Sequence, residues 1–127
     1  MTDRTAQTVD AQTFGSTMGN AVWLMTMDKA YCDRPIRDIE AMIAIPILLR
    51  QFKLYSQKDK PIAFLTWAAV SDEVKAKLDT GGELEFNDWR SGESVVVIDV
   101  VSPFTDASAF RDRFLAKTKT NIMRGCY

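Results

Sequence analysis

The chain has 127 residues, 46% of them hydrophobic and 26% charged, with a formal net charge of −1. That length suits one domain with its own core and is too short for two, and the charge balance gives no electrostatic case for nucleic acid. The complete absence of histidine excludes a Ser-His-Asp triad, a Cys-His dyad and a histidine-ligated zinc site, and no P-loop or Rossmann glycine pattern is present.

Residues 1–12 are polar and aperiodic, so they read as a flexible tail ahead of a single domain over 13–127. No apolar h-region marks a secretory leader. The longest apolar run, Ala41 to Leu49, has nine residues and contains Pro46, too short for a membrane span. Cys32 and Cys126 form no disulfide or metal pattern, and a reducing cytoplasm is the expected compartment. Phe14, Met18, Ala21, Val22 and Met25 recur at spacings of three and four, which predicts a helix from Thr13 to about Met27. After a connection over Lys29 to Asp33, Pro35 opens a second helix with Ile36, Ile39, Met42, Ile43 and Ile45 on its buried face. Pro46 is expected to kink or end it.

Phe52 to Ser56 alternates as a strand, Lys58-Asp59-Lys60 turns, and Pro61 to Val70 returns as a second strand. Ser71 caps a short helix to about Asp79, and Gly81-Gly82 stops it. Glu83 to Trp89 reads as a loop or short edge element. Ser94 to Val101 is the third strand, closed by Pro103. Thr105 or Asp106 caps a last helix through about Lys117, with Ala107, Phe110, Phe114 and Leu115 inward, and Asn121 to Tyr127 is expected to add a short strand. The order predicts an α/β-type (α+β) domain, helices on a largely antiparallel central sheet.

Within the third strand, Asp99 interrupts a β-branched apolar run. A buried carboxylate is costly unless it is paired, so Asp99 has either a function or a partner such as Arg34 or Arg90, or else faces solvent.

Several segments together resemble the toxin-activating lysine acyltransferases. These are Val22-Trp23-Leu24, Ala44-Ile45-Pro46, Pro61-Ile62-Ala63-Phe64, Thr66-Trp67-Ala68, Asp88-Trp89-Arg90-Ser91-Gly92-Glu93, Ile98-Asp99 and Ser102-Pro103-Phe104, in that order. The resemblance implies a fold like that of the GCN5-type N-acetyltransferases (GNAT-like). It implies transfer of a fatty acyl group from acyl carrier protein to an amine acceptor, a protein lysine or a small molecule, in the cytoplasm, and allows a homodimer. It requires no bound cofactor or metal, the acyl donor being a phosphopantetheine thioester. By position, Asp99 matches the family's catalytic aspartate, and Tyr31 stands where the family carries a histidine.

Acyl transfer to an amine needs a neutral nucleophile, donors for the oxyanion and a leaving thiol. Asp99 would orient or deprotonate the amine. Tyr31 would act as hydrogen-bond donor or acid, its alternative being a loop aromatic packed on the second helix. Cys32 would form an acyl-cysteine if its thiolate were stabilised by Lys29 and Arg34, its alternative being an inert thiol. Trp89, Arg90, Ser91, Gly92 and Trp23 are the expected substrate contacts, with Arg90 on a phosphate and the Ser91 hydroxyl or Gly92 amide on the oxyanion. The plain alternative there is a Ser-Gly turn with Trp89 covering the core edge. Segment 106–127 holds Arg111, Arg113, Lys117, Lys119 and Arg124, a basic face for an acidic carrier protein or simply a solvated one. Two other functions compete: a non-catalytic relative that partners an active enzyme, and an acetyl-CoA-dependent N-acetyltransferase, for which the glycine-rich pyrophosphate loop is missing.

Overall fold

The computed structural model describes residues 9–123, with side chains to Thr118. Helix α1 spans Ala11–Met27. The Asp10 carboxylate accepts from the Thr13 amide at 2.7 Å, satisfying one of the amide donors that an N-terminus leaves free. The helix thus starts two residues before Thr13, and the polar reading of residues 1–12 ran too far. Residues 1–8 lie outside the described part.

The second helical segment is composite: a 3-10 turn at Ile36–Asp38, a π-helical turn at Glu40–Ala44 and helix α2 at Ile45–Leu48. Pro46, expected to kink or end this segment, follows a π-helical turn and stands two residues before the segment ends at Leu48. The Ile45 amide donates five residues back, to Glu40. That wider turn relieves the clash between a proline ring and the preceding turn. Ile36, expected on the buried face, is 87% exposed, because the 3-10 turn holding it is out of phase with the helix that follows.

Strands β1 (Phe52–Gln57), β2 (Lys60–Val70) and β3 (Ser94–Val101) form one antiparallel sheet in the order β1-β2-β3. Lys58 and Asp59, at φ 51° and 67°, make the two-residue hairpin turn whose twist suits antiparallel strands. Helix α3 (Asp72–Asp79) is capped by the Ser71 side chain, and Gly81 follows it at φ 90°, a conformation open to glycine without strain. A 3-10 turn at Phe86–Trp89 precedes β3. Helix α4 spans Ala107–Met123, with Asp106 accepting from the Ser108 amide. Of the strand expected over 121–127, residues 121–123 finish α4 instead, and residues 124–127 lie outside the described part.

The architecture is α+β, as predicted, with helices on both faces of the sheet. One face meets α1 and α2 through Leu24, Ile43, Ile47, Phe64 and Val101, and meets α3 through Ala68, Val70, Val74 and Trp89. The other packs Leu65 and Val100 on Phe110 and Phe114 of α4. Between these faces β3 carries a bulge. Thr66 pairs with Asp99 and Trp67 with Val97, so Ile98 is the extra residue. The bulge shifts the alternation by one. Val96 lies on the α1/α3 face ahead of it, and Asp99 and Val101 lie on that same face beyond it.

Candidate active site

The bulge turns Asp99 toward the segment that follows α1. That segment is tied down by Asp28, whose two carboxylate oxygens accept from the Ala30 amide at 2.9 Å and from the Ser102 amide at 2.8 Å. Residues 28–34 are thereby fastened to the end of β3. Tyr31 then reaches back along the strand, and its hydroxyl donates to Asp99 Oδ1 at 3.0 Å. The partner of the buried carboxylate is therefore a phenol, neither Arg34 nor Arg90.

Burial raises the pKa of Asp99 above the ordinary carboxylate value, opposed by the Tyr31 hydrogen bond and by the charges of Arg34 and Arg111. Tyr31 is pushed upward too, first by burial and then by the Asp99 charge. Both causes keep the Tyr31 phenol protonated, so it donates its hydrogen to Asp99. Tyr31 is a donor here and not a base.

Asp99 opens on a groove of about 370 Å³ shared with Arg34, Arg37, Met42, Leu84, Trp89 and Ile98. Arg34 pairs with Asp38 at 3.7 Å and lies 5.9 Å from the centre of the Tyr31 ring. It also borders a second groove of about 430 Å³ with Val22, Met25, Tyr31, Cys32 and Ile39. Arg34 lines both grooves, and Tyr31 lines the second. Cys32 opens only on the second, and its thiol donates to the Lys29 carbonyl at 3.9 Å.

The other expected contacts have structural roles. Trp89 is 3% exposed and packs with Ala68, Val70 and Val74, although its edge lines the Asp99 groove. Arg90 does not face Asp99: its Nε donates to Gln51 Oε1 at 2.7 Å and its Nη2 to the Leu49 carbonyl. The Ser91 hydroxyl donates to the Asp88 carbonyl and accepts from the Ser71 amide. The Gly92 amide donates to the Ala69 carbonyl, so the proposed oxyanion donors are engaged within the fold. Gly92 is required sterically, since a Cβ there would come within 2.5 Å of the Val70 carbonyl oxygen and the Ser71 nitrogen. Trp23, 47% exposed, lies in a separate groove with Phe104, Pro61, Ile62, Lys58 and Lys60. On α4, Arg111, Arg113 and Lys117 are exposed, Arg113 lying over the Tyr55 ring at 5.1 Å. The Lys119 side chain and Arg124 fall outside the described residues, as does Cys126.

Sequence reasoning missed Gln51. It is 2% exposed, and its side-chain amide donates to the Trp67 and Trp89 carbonyls while accepting from Arg90. A polar residue just ahead of an alternating strand gives no sign of that role. No helix among the described residues is long and apolar enough to cross a membrane, and no His/Cys/Asp/Glu group among them is placed to hold a metal.

A carboxylate of raised pKa, steadied by a phenol and edged by an arginine in a mixed apolar groove, is a site for moving a proton beside a partly apolar ligand. Residues 10–124 match the RTX toxin acyltransferase family, and the chain belongs to it. It is 32% identical over 111 residues to the RTX-III toxin-activating lysine-acyltransferase ApxIIC of Actinobacillus pleuropneumoniae, covering 86% of this chain and 64% of that relative. It is 29% identical over 108 residues to the protein-lysine myristoyltransferase HlyC of Escherichia coli, covering 84% and 64%. With the protein-lysine myristoyltransferase RtxC of Kingella kingae the identity is 28% over 93 residues, covering 72% and 56%. The chain thus spans between 56% and 64% of the length of these relatives.

Proposed function

We propose that this protein is an acyltransferase that moves a fatty acyl group from a thioester, carried by acyl carrier protein, onto an amine, with a protein lysine as the first-choice acceptor. Membership of the family supports the reaction class. The observation that carries the site assignment is the Tyr31–Asp99 hydrogen bond at the floor of the Arg34-lined groove.

The acceptor enters as an ammonium, because a free lysine amine has a pKa near ~10.4. Asp99, the carboxylate of the groove whose pKa burial has raised, accepts the proton that must leave this nitrogen. The amine nitrogen bonds to the thioester carbon and the carbonyl electron pair moves to oxygen. Collapse of that intermediate breaks the carbon–sulfur bond. The proton held by Asp99 passes to the departing sulfur and the second proton of the original ammonium is released to solvent, which leaves an amide and a free thiol. Tyr31 keeps the carboxylate oriented, and Arg34 and Arg37 on the same groove wall are the cations that can face the developing oxyanion.

A second reading is favoured by one observation. The chain contains no histidine, and the residue at the family's histidine position, Tyr31, directs its proton at Asp99. That suits a non-catalytic relative that binds an active homologue. Incubation with acyl-loaded carrier protein and lysine-bearing acceptors, followed by intact-mass spectrometry, separates the two. Acyl addition that is lost in Asp99→Ala supports the enzyme. No addition by the unmodified protein, with addition gained in Tyr31→His, supports the non-catalytic reading.

A further inference from the structure

The sheet buries a hydroxyl without a protein partner. Thr66 has 0% exposure, and its Oγ1 makes no hydrogen bond among the described residues. Buried hydroxyls are nearly always paired, since desolvation without a bond is costly. The residue directly across the ladder from Thr66 is Asp99, and the bulge at Ile98 places the two on the same face. Opposed side chains on one face start from Cβ atoms about 4.5–5.5 Å apart, close enough for a turn of the Thr66 side chain to bring its hydroxyl to the carboxylate. On the other side of this pairing, Asp99 accepts from Tyr31 through Oδ1, and a carboxylate offers about four acceptor sites.

We propose that Thr66 is a positioning residue of this site, its side chain turning so that its hydroxyl donates directly to the Asp99 carboxylate. Tyr31, on the segment after α1, and Thr66, on β2, then hold the carboxylate from two elements and leave a lone pair directed into the groove. The two donors favour the charged form. Asp99 is also influenced by Arg34 beside Tyr31, by Arg37 and Asp38 of the 3-10 turn, by Glu83 after α3 and by Arg111 of α4. This deepens the reading of Asp99 as the proton acceptor, but its test needs no substrate and so stands apart from any transfer assay.

The test is the carbon-13 NMR titration of the Asp99 carboxyl in the full chain. Thr66→Val keeps the shape and removes the hydroxyl, and the Asp99 midpoint is expected to rise by on the order of one pH unit. Thr66→Ser is expected to titrate like the unmodified protein. Tyr31→Phe, which removes a donor visible in the structure, is expected to raise the midpoint and shows that the probe responds. A midpoint unmoved by Thr66→Val while Tyr31→Phe moves it overturns the proposal. So does a Thr66→Ser shift as large as that of Thr66→Val, because packing would then be the cause. If Thr66→Val does not fold, Thr66→Ala against Thr66→Ser makes the same comparison.

Discussion

Tyr31 and Asp99 are separated by 68 positions in the chain and by 3.0 Å in space. A second contact joins the same loop to the same strand end nearby, the Asp28 carboxylate on the Ser102 amide. The loop after α1 is therefore fastened to β3 at two points, and the candidate site lies between them.

Removing the Tyr31 hydroxyl leaves Asp99 buried with one donor fewer. A hydrogen bond to a charged group contributes about 1.5–3 kcal/mol when well buried. Because the pair is only part-buried, Tyr31→Phe is expected to lower stability by about 1–2 kcal/mol near neutral pH. Urea unfolding measures this, and an unchanged midpoint would show that the bond contributes nothing to folding.

Asp99 also sets a pH dependence. Its folded-state pKa is raised above 3.8, so between those two values the folded protein holds a proton that the unfolded chain has lost. Its contribution to stability is fully present below the ordinary carboxylate value and is lost as pH rises through the folded value. Asp99→Asn still accepts from Tyr31 but does not ionise. The stability of Asp99→Asn relative to the unmodified protein is expected to increase as pH rises through that window. Asp10, Asp88 and Asp106, each lowered by local hydrogen bonds, are common to both proteins and cancel in the difference. Parallel stability curves would sink the assignment.

In the proposed reaction the same carboxylate takes the amine proton. Acid–base groups of this kind contribute on the order of 100-fold or more to rate. Asp99→Ala and Asp99→Asn should both reduce acyl transfer by at least about that factor at a fixed carrier-protein concentration. Transfer within a few-fold of the unmodified protein would move the chemistry elsewhere.

Gly92 offers a purely steric test. An added methyl would meet the backbone of Val70 and Ser71, which cannot swing aside as a flexible side chain does. Gly92→Ala is expected to cost about 1–3 kcal/mol and to loosen the register of Ala69 with Arg90. Thermal unfolding reads the first effect, and amide exchange at Gly92 the second.

Gln51→Leu preserves volume but strands the Trp67 and Trp89 carbonyls and the Arg90 Nε together. With each unmet buried group costing about 1–3 kcal/mol, a loss of about 2–4 kcal/mol is expected. A change near zero would mean that Arg90 and the carbonyls find other partners.

The strands, the Ser71 cap and the inward face of α4 were legible because each rests on local chemistry: alternation, a side-chain oxygen at the right offset, aromatic residues four apart. The passage through Pro46 was not, because a π turn is the answer to one local clash and leaves no periodic mark. Asp99 was legible as a problem, a charge in an apolar strand. Its solution was not, since Tyr31 meets it only after the Asp28 anchor and the Ile98 bulge have both formed. Ser91 and Gly92 show the opposite failure: residues whose chemistry suits an oxyanion site are occupied in closing the end of β2.

The extra residue in β3 makes the position of Asp99 a matter of parity. If Ile98 stayed in the ladder and the strand kept strict alternation, Ile98 would stand opposite Thr66, and the carboxylate, now opposite Leu65, would turn to the side occupied by Phe110 and Phe114. The bulge therefore decides which residue faces Thr66, and a slip of one position would exchange the carboxylate for an isoleucine at the centre of the site.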